Sequence, residues 1–258
     1  MIKPERAFQV DKMMVEVYKD RPAMGLGAAK AAADKIRELL SQKPMINVAF
    51  AAAPSQNEFL EALIKEPGID WQKVRAFHLD EYLGLASDAP QRFAVFLDEN
   101  IFSKLNLGEI HYLKGDAESP EAEAQRYTEL LKRYPLDIAF IGIGENGHIA
   151  FNDPPVADFD DPHWVKIVEL DEICRMQQVN DGCFPTIDDV PKTALTLTIP
   201  AVMSADTIYC MVPGPTKTAA VKETVEGEIS TSCPATILRR HDAAILYVDR
   251  DAAATLSK

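Results

Sequence analysis

The chain has 258 residues, 47% of them hydrophobic and 26% charged, with 40 acidic against 27 basic side chains for a formal net charge of −13. That size and balance suit a globular α/β protein that buries its own core without disulfides or metal. The acidic excess disfavours a nucleic-acid or anionic-membrane surface, because phosphate backbones need clustered Lys and Arg.

In chain order, the pattern predicts a helix over residues 23–40, a buried strand over 46–51, a helix over 58–64 and a second strand over 74–79. A helix over 94–105, a short strand over 110–113 and a helix over 120–132 follow. Asp137-Ile138-Ala139-Phe140-Ile141 is the clearest strand: short, apolar and stopped by glycine. Further strands are expected over 165–170, 194–199, 207–212 and 243–248, with a helix over 216–226. Strands alternating with helices predict βαβ units and a central, mainly parallel sheet flanked by helices on both faces. No repeat, linker or composition break divides the chain, so a single domain over 1–258 is expected. The proline- and acid-rich stretch near 154–191 is expected to form a mobile lid.

The four cysteines, Cys174, Cys183, Cys210 and Cys233, form no C-x-x-C pair and have no histidine at zinc-finger spacing. Reduced thiols in a soluble cytoplasmic protein are expected. The N-terminus has no signal-peptide h-region, and no apolar run reaches the length of a membrane span.

In open parallel sheets, ligands sit beyond the carboxyl ends of the strands, and three such ends carry unusual residues. The first is Gly142-Ile143-Gly144-Glu145-Asn146-Gly147-His148. Its glycines match G-x-G-x-x-G, but a dinucleotide site needs a long helix to open there. Pro154 and Pro155 follow too soon for one. The alternative is a turn where backbone approaches a ligand closely at Gly144 and Gly147. His148 would then face the site, oriented by Asn146 and Asp153, as a proton-transfer group tuned near neutral pH. A purely structural histidine is the competing reading.

The second end is Asp80-Glu81-Tyr82-Leu83-Gly84-Leu85. Adjacent carboxylates after a buried strand are costly unless solvated, paired or working. Asp80 is either a cap or a general base, and Glu81 either a solvated charge or a supporting carboxylate. They face opposite ways on an extended chain. The third end is Gly214-Pro215-Thr216-Lys217, which offers a hydroxyl and an ammonium at a helix start: a phosphate seat, or an ordinary cap with a surface lysine.

Together these segments resemble the glucosamine-6-phosphate deaminase/isomerase family. Asp80–Leu85 resembles its D-E-Y-x-G-L segment, Gly142–Pro154 its G-x-G-x-[DN]-G-H-I-x-F-N-[ED]-P segment, and Gly214–Lys217 its G-x-x-K phosphate segment, in the same order. The match runs from about Ile46 to beyond Ile237. The resemblance implies a Rossmann-like three-layer fold and chemistry with no metal and no organic cofactor. It also implies a phosphorylated amino-sugar substrate, and leaves a homo-oligomer open. Carried over, His148 assists ring opening, held by Asn146 and Asp153. Asp80 moves a proton from C2 to C1, and water then releases ammonia. Glu81 supports, Lys217 holds the 6-phosphate, and Gly144 and Gly147 line the substrate.

The chain departs from the family pattern at its phosphate end. Ala51-Ala52-Ala53-Pro54-Ser55-Gln56 stands where a T-G-[GS]-T-P loop is usual, leaving Ser55 and Gln56 as the expected donors. Gln178, with Arg175 nearby, stands where a phosphate-binding arginine is common, and Asp153 is one methylene shorter than the usual glutamate. Two other readings compete. A 6-phosphogluconolactonase shares G-x-G-x-D-G-H but continues with small residues and S-L-F-P. Sugar-phosphate sensors of related fold carry an N-terminal DNA-binding module, yet only about twenty residues precede the first predicted helix; a non-catalytic sugar-phosphate-binding paralogue stays open, given the altered loop.

Overall fold

The computed structural model describes residues 3–257. An antiparallel hairpin opens the chain, β1 (Arg6–Val10) and β2 (Met13–Tyr18), and nothing in the sequence pattern had marked it. Helix α1 (Arg21–Gln42) starts where the Asp20 carboxylate accepts the Ala23 N–H at 2.8 Å, with Pro22 in its first turn. It buries a face of small residues, including Ala28, Ala29, Ala32 and Ala33, against the sheet.

Strand β3 (Ile46–Phe50) leads to α2 (Asn57–Leu63), β4 (Val74–His78) and the short strand β5 (Asp80–Tyr82). Helix α3 (Phe93–Asn100) ends earlier than the pattern predicts, because the chain tightens into a 3-10 turn over Phe102–Lys104. Strand β6 (Glu109–His111), α4 (Pro120–Arg133) and β7 (Ile138–Ile141) follow. Next come β8 (Val165–Glu169), α5 (Glu172–Asn180), β9 (Thr193–Leu197) and α6 (Ile199–Met203). Strand β10 (Thr207–Val212), α7 (Thr218–Glu226) and β11 (Ala244–Asp249) complete the chain.

The main sheet has the order β1-β2-β11-β10-β7-β3-β4-β6, parallel throughout except for the β1–β2 hairpin. One apolar cluster packs α1, α2 and α3 on one face, and a second packs α4, α6 and α7 on the other. This is the expected three-layer arrangement. Strands β8 and β9, however, do not join the main sheet. They form a separate antiparallel sheet in the order β5-β9-β8. A strand's own residues specify extended backbone but not its partner, which explains the difference.

Stretch 154–191, read from sequence as a lid, contains β8 and α5. No helix among the described residues is long and apolar enough to cross a membrane.

Sheet order also fixes where a site can form. The chain moves outward from β3 through β4 to β6, then returns to place β7 on the other side of β3. That reversal opens a crevice at the carboxyl ends of β3 and β7. Register aligns Phe50 with His78 and Phe140, and Ile141 with Cys210, so the ends of β3, β4, β7 and β10 emerge together.

Candidate active site

A cleft of about 570 Å³, counted to its open mouth, lies over these four strand ends. Asp80, His148, Gly144, Ser55 and Lys217 all line it, so three sequence segments spread over more than a hundred residues of chain meet in one place. Strands β4 and β10, which deliver Asp80 and Lys217, are three inter-strand spacings apart, roughly 14 Å at about 4.8 Å each.

His148 sits on a turn that only glycines permit. A Cβ on Gly144 would lie 2.1 Å from the imidazole Cε1. Gly147 has φ +84°, and a Cβ there would lie 2.4 Å from the Cys233 sulfur. The next turn is pinned from below. Asn152, fully buried, donates to Ile149 O at 2.9 Å and Leu197 O at 2.8 Å, and the Phe151 N–H donates to Thr196 Oγ1 at 3.0 Å. Ala150, on the cleft wall, is held at φ +50°, a left-handed conformation that is strained for a residue with a Cβ.

The imidazole is oriented from behind. Its Nδ1 lies 2.8 Å from Asn146 Oδ1 and 2.8 Å from Asp153 Oδ1. Both partners accept, so Nδ1 carries the proton and Nε2 is left as a lone pair for a ligand. Asn146 Nδ2 donates to the same Asp153 oxygen at 2.9 Å, completing the triangle. Burial pushes the Asp153 carboxyl up, but bonding and attraction from His148, with help from Asn146, outweigh it and hold the carboxyl below its usual value. Asp153 therefore reaches His148 although it is a short aspartate.

Asp80 stands at the junction of the two sheets. Two residues earlier, His78 closes β4, fully buried. Its Nδ1–H donates to Asp80 O at 2.9 Å and its Nε2 accepts the Leu113 N–H at 2.8 Å. Burial lowers the His78 pKa to about 4, so the ring is a neutral strut. The Asp80 carboxylate is only 8% exposed and accepts no hydrogen bond among the described residues. Burial, and then the Glu81 charge beside it, push its pKa well above the usual carboxylate value.

Two expected substrate-binding residues are turned away from the cleft. Glu81 is fully buried and points to the start of α3, where it accepts N–H bonds from Phe93 at 3.1 Å and Ala94 at 3.0 Å, with Arg92 Nε at 3.5 Å. It is a helix cap, in keeping with the alternation of side chains along β5. Gln56 spends its amide N–H on Ser55 Oγ at 3.1 Å and Met211 O at 3.2 Å, bracing the strand ends. Asn146 and Asp153 act behind His148, and Gly147 lies against Cys233 and not on the cleft wall. Arg175 donates to the Ile187 and Val190 carbonyls and does not reach the cleft, whereas Gln178 does.

Sequence reasoning missed the contribution of α5. Gln177 Oε1 accepts the Glu145 N–H at 2.8 Å, tying the glycine turn to a helix 32 residues away, and Asp181 lines the cleft beyond it. No local signal marks these residues. Among the described residues, the trio His148, Asp153 and Cys174 brings metal-ligating atoms within 4.8 Å of one another. A cation there would displace the bonds that orient the imidazole.

Comparisons with known proteins bear on the fold and the family. The family model for glucosamine-6-phosphate isomerases/6-phosphogluconolactonase matches residues 19–247. A glucosamine-6-phosphate deaminase of Streptococcus suis is 35% identical over 228 residues, covering 88% of this chain and 94% of the relative. One from Thermoanaerobacter is 31% identical over 234 residues, covering 88% and 90%. A solved monomeric glucosamine-6-phosphate deaminase superposes with a TM-score of 0.85 at 32% identity, covering 93% of this chain and 98% of that one. The 6-phosphogluconolactonase of Thermotoga maritima shares the fold, with a TM-score of 0.75 at 20% identity over 92% of this chain and all of the other.

Proposed function

The chain belongs to the glucosamine-6-phosphate isomerase/6-phosphogluconolactonase family, and from that premise we propose that it converts glucosamine 6-phosphate to fructose 6-phosphate and ammonia. The observation that carries this reading is the pair of unspent groups on one cleft, the Nε2 lone pair of His148 and the unpartnered carboxylate of Asp80.

The chemistry needs both. His148 Nε2 takes the proton from the anomeric hydroxyl and returns it to the ring oxygen, which opens the ring. The resulting C1 aldehyde acidifies the C2–H. Asp80 removes that proton while the C1 oxygen takes one from the substrate's own ammonium, giving an enolamine, and Asp80 then delivers its proton to C1, leaving a protonated imine at C2. Water adds to the imine carbon and ammonia leaves. A carboxylate held above its usual pKa is a stronger base for this step than an exposed one. The Asp153–Asn146 pair stabilises the imidazolium formed in passing. Lys217 is assigned to the C6 end of the sugar. With its cysteines as free thiols, the enzyme is assigned to the reducing cytoplasm.

Ammonia release from glucosamine 6-phosphate in deuterated water tests the reading. The hydrogen gained at C1 comes from Asp80, as the C2 proton itself or as solvent deuterium exchanged onto that carboxyl, so at most one deuterium at C1 of the fructose 6-phosphate is expected. Hydrolysis of 6-phosphogluconolactone in place of ammonia release would replace this activity with the lactonase one. Binding of the sugar phosphate with no turnover would replace it with a sensor.

A further inference from the structure

The Lys217 end of the cleft is poor in groups that suit a phosphate. A phosphate monoester carries about −1.5 to −2 charge near pH 7 and presents oxygens that mainly accept. Facing it are one ammonium, Lys217, and one carboxylate on the same cleft wall, Asp181, whose charge acts on that ammonium. Asp181 is exposed at the rim, where water screens it, but it lines the same cleft wall.

Several side-chain and turn donors that a phosphate would use are committed or lie elsewhere. The Gly214 N–H, ahead of the Pro215–Lys217 turn, bonds both Asp249 oxygens, at 3.0 and 3.2 Å. Thr216 is exposed and off the cleft wall, and the amide N–H of Gln56 is spent on the strand ends. Besides the backbone N–H groups of Ala52 and Ala53, the Ser55 hydroxyl and the Gln178 side-chain amide face the cleft. Gln178 is 7% exposed and has no partner among the described residues. Hydroxyl and amide each donate and accept, as a sugar hydroxyl does. A dianion would meet the Asp181 carboxylate across this end and leave the Gln178 oxygen without a donor.

We propose that this end of the cleft accepts an uncharged C6 hydroxyl, so that the enzyme also deaminates free 2-amino-2-deoxyhexoses, with Asp181 as the residue that sets its indifference to the phosphate. The proposal rests on the deaminase reading for its chemistry, but its recognition part stands apart from turnover. In the reaction itself nothing changes: the C2 proton still moves to C1, water adds and ammonia leaves, with C6–OH in place of C6–phosphate.

The test separates the two. Binding of glucosamine and of glucosamine 6-phosphate is measured by calorimetry on Asp80→Asn, which holds substrate without consuming it. It is then repeated with Asp181→Asn or Asp181→Lys added. Dissociation constants within tenfold of each other are expected before the Asp181 changes. Asp181→Asn should tighten the phosphate threefold or more and Asp181→Lys tenfold or more, with free glucosamine unmoved. Wild type should release ammonia from both sugars. A phosphate preference above tenfold, or a preference that Asp181→Lys does not move, overturns the proposal, as does binding of neither sugar. If wild type releases ammonia from neither sugar while the binding ratio is as expected, the deaminase reading fails and the recognition inference stands.

Discussion

Asp80→Asn should make the protein more stable and nearly inactive at once. The wild-type carboxylate is almost buried, accepts no hydrogen bond among the described residues and sits beside the Glu81 charge, so its ionised form is held at a cost. Asparagine keeps the shape and removes the charge. Relief of an unpartnered buried group is worth about 1–3 kcal/mol. For a chain of this length each kcal/mol moves Tm by about 2–4 °C, which gives a rise of about 2–12 °C.

The sign follows from linkage. A carboxyl whose folded pKa is raised binds its proton more tightly folded than unfolded. Its penalty is therefore absent below the ordinary carboxylate value and grows as pH rises through the raised one. The Tm gain should be present at pH 7 to 8 and vanish near pH 4. Loss of the general base should lower kcat by about 10²–10⁴. Scanning calorimetry across pH and an ammonia assay read the two effects. A fall in Tm at neutral pH, or activity within tenfold of wild type, would refute the reasoning, since either result means that Asp80 is not a strained, working carboxylate.

Gly144→Ala places a methyl 2.1 Å from the His148 ring, so the imidazole must swing off Asn146 and Asp153. Displacements of about 1 Å at a reacting group cost about 10²-fold. Kinetics should show kcat down by at least that much, with the circular dichroism of the fold unchanged. His78→Gln addresses the strut beneath Asp80. A histidine held neutral to about pH 4 contributes stability that is full above 6.5 and is lost as pH falls through that window. A shift from 6.5 to about 4 is worth roughly 3 kcal/mol. Urea titrations at pH 7 and pH 4 should show that loss in wild type and not in the variant.

What the residues announce on their own is the local chemistry of each strand end. The glycine spacing and the prolines after His148 argue for a close-approach turn instead of a dinucleotide helix, and the turn is there. The apolar runs at 46–51, 74–79 and 207–212 read as buried strands because both faces are covered by helices. The hairpin at the N-terminus stayed hidden because its alternation is half-buried and short, with one face left to solvent. Glu81 and Gln56 were placed with the substrate because motif membership says nothing about which way a side chain points. Packing at α3 and at the strand ends decided that.

Sequence alone pointed to the candidate reacting groups, since a carboxylate, an imidazole and the glycines around them follow from residue type and spacing. Tertiary structure decided which groups remain unspent. Asp80 is a carboxyl of raised pKa because burial and Glu81 surround it, and His148 has its lone pair outward because Asn146 and Asp153 take the other nitrogen. The far end of the cleft was decided the same way, by α5 swinging Gln178 and Asp181 over Lys217 from a part of the chain with no motif. Burial and charge proximity are properties of neighbours in space, and those neighbours are set by sheet order and helix packing, not by distance along the chain.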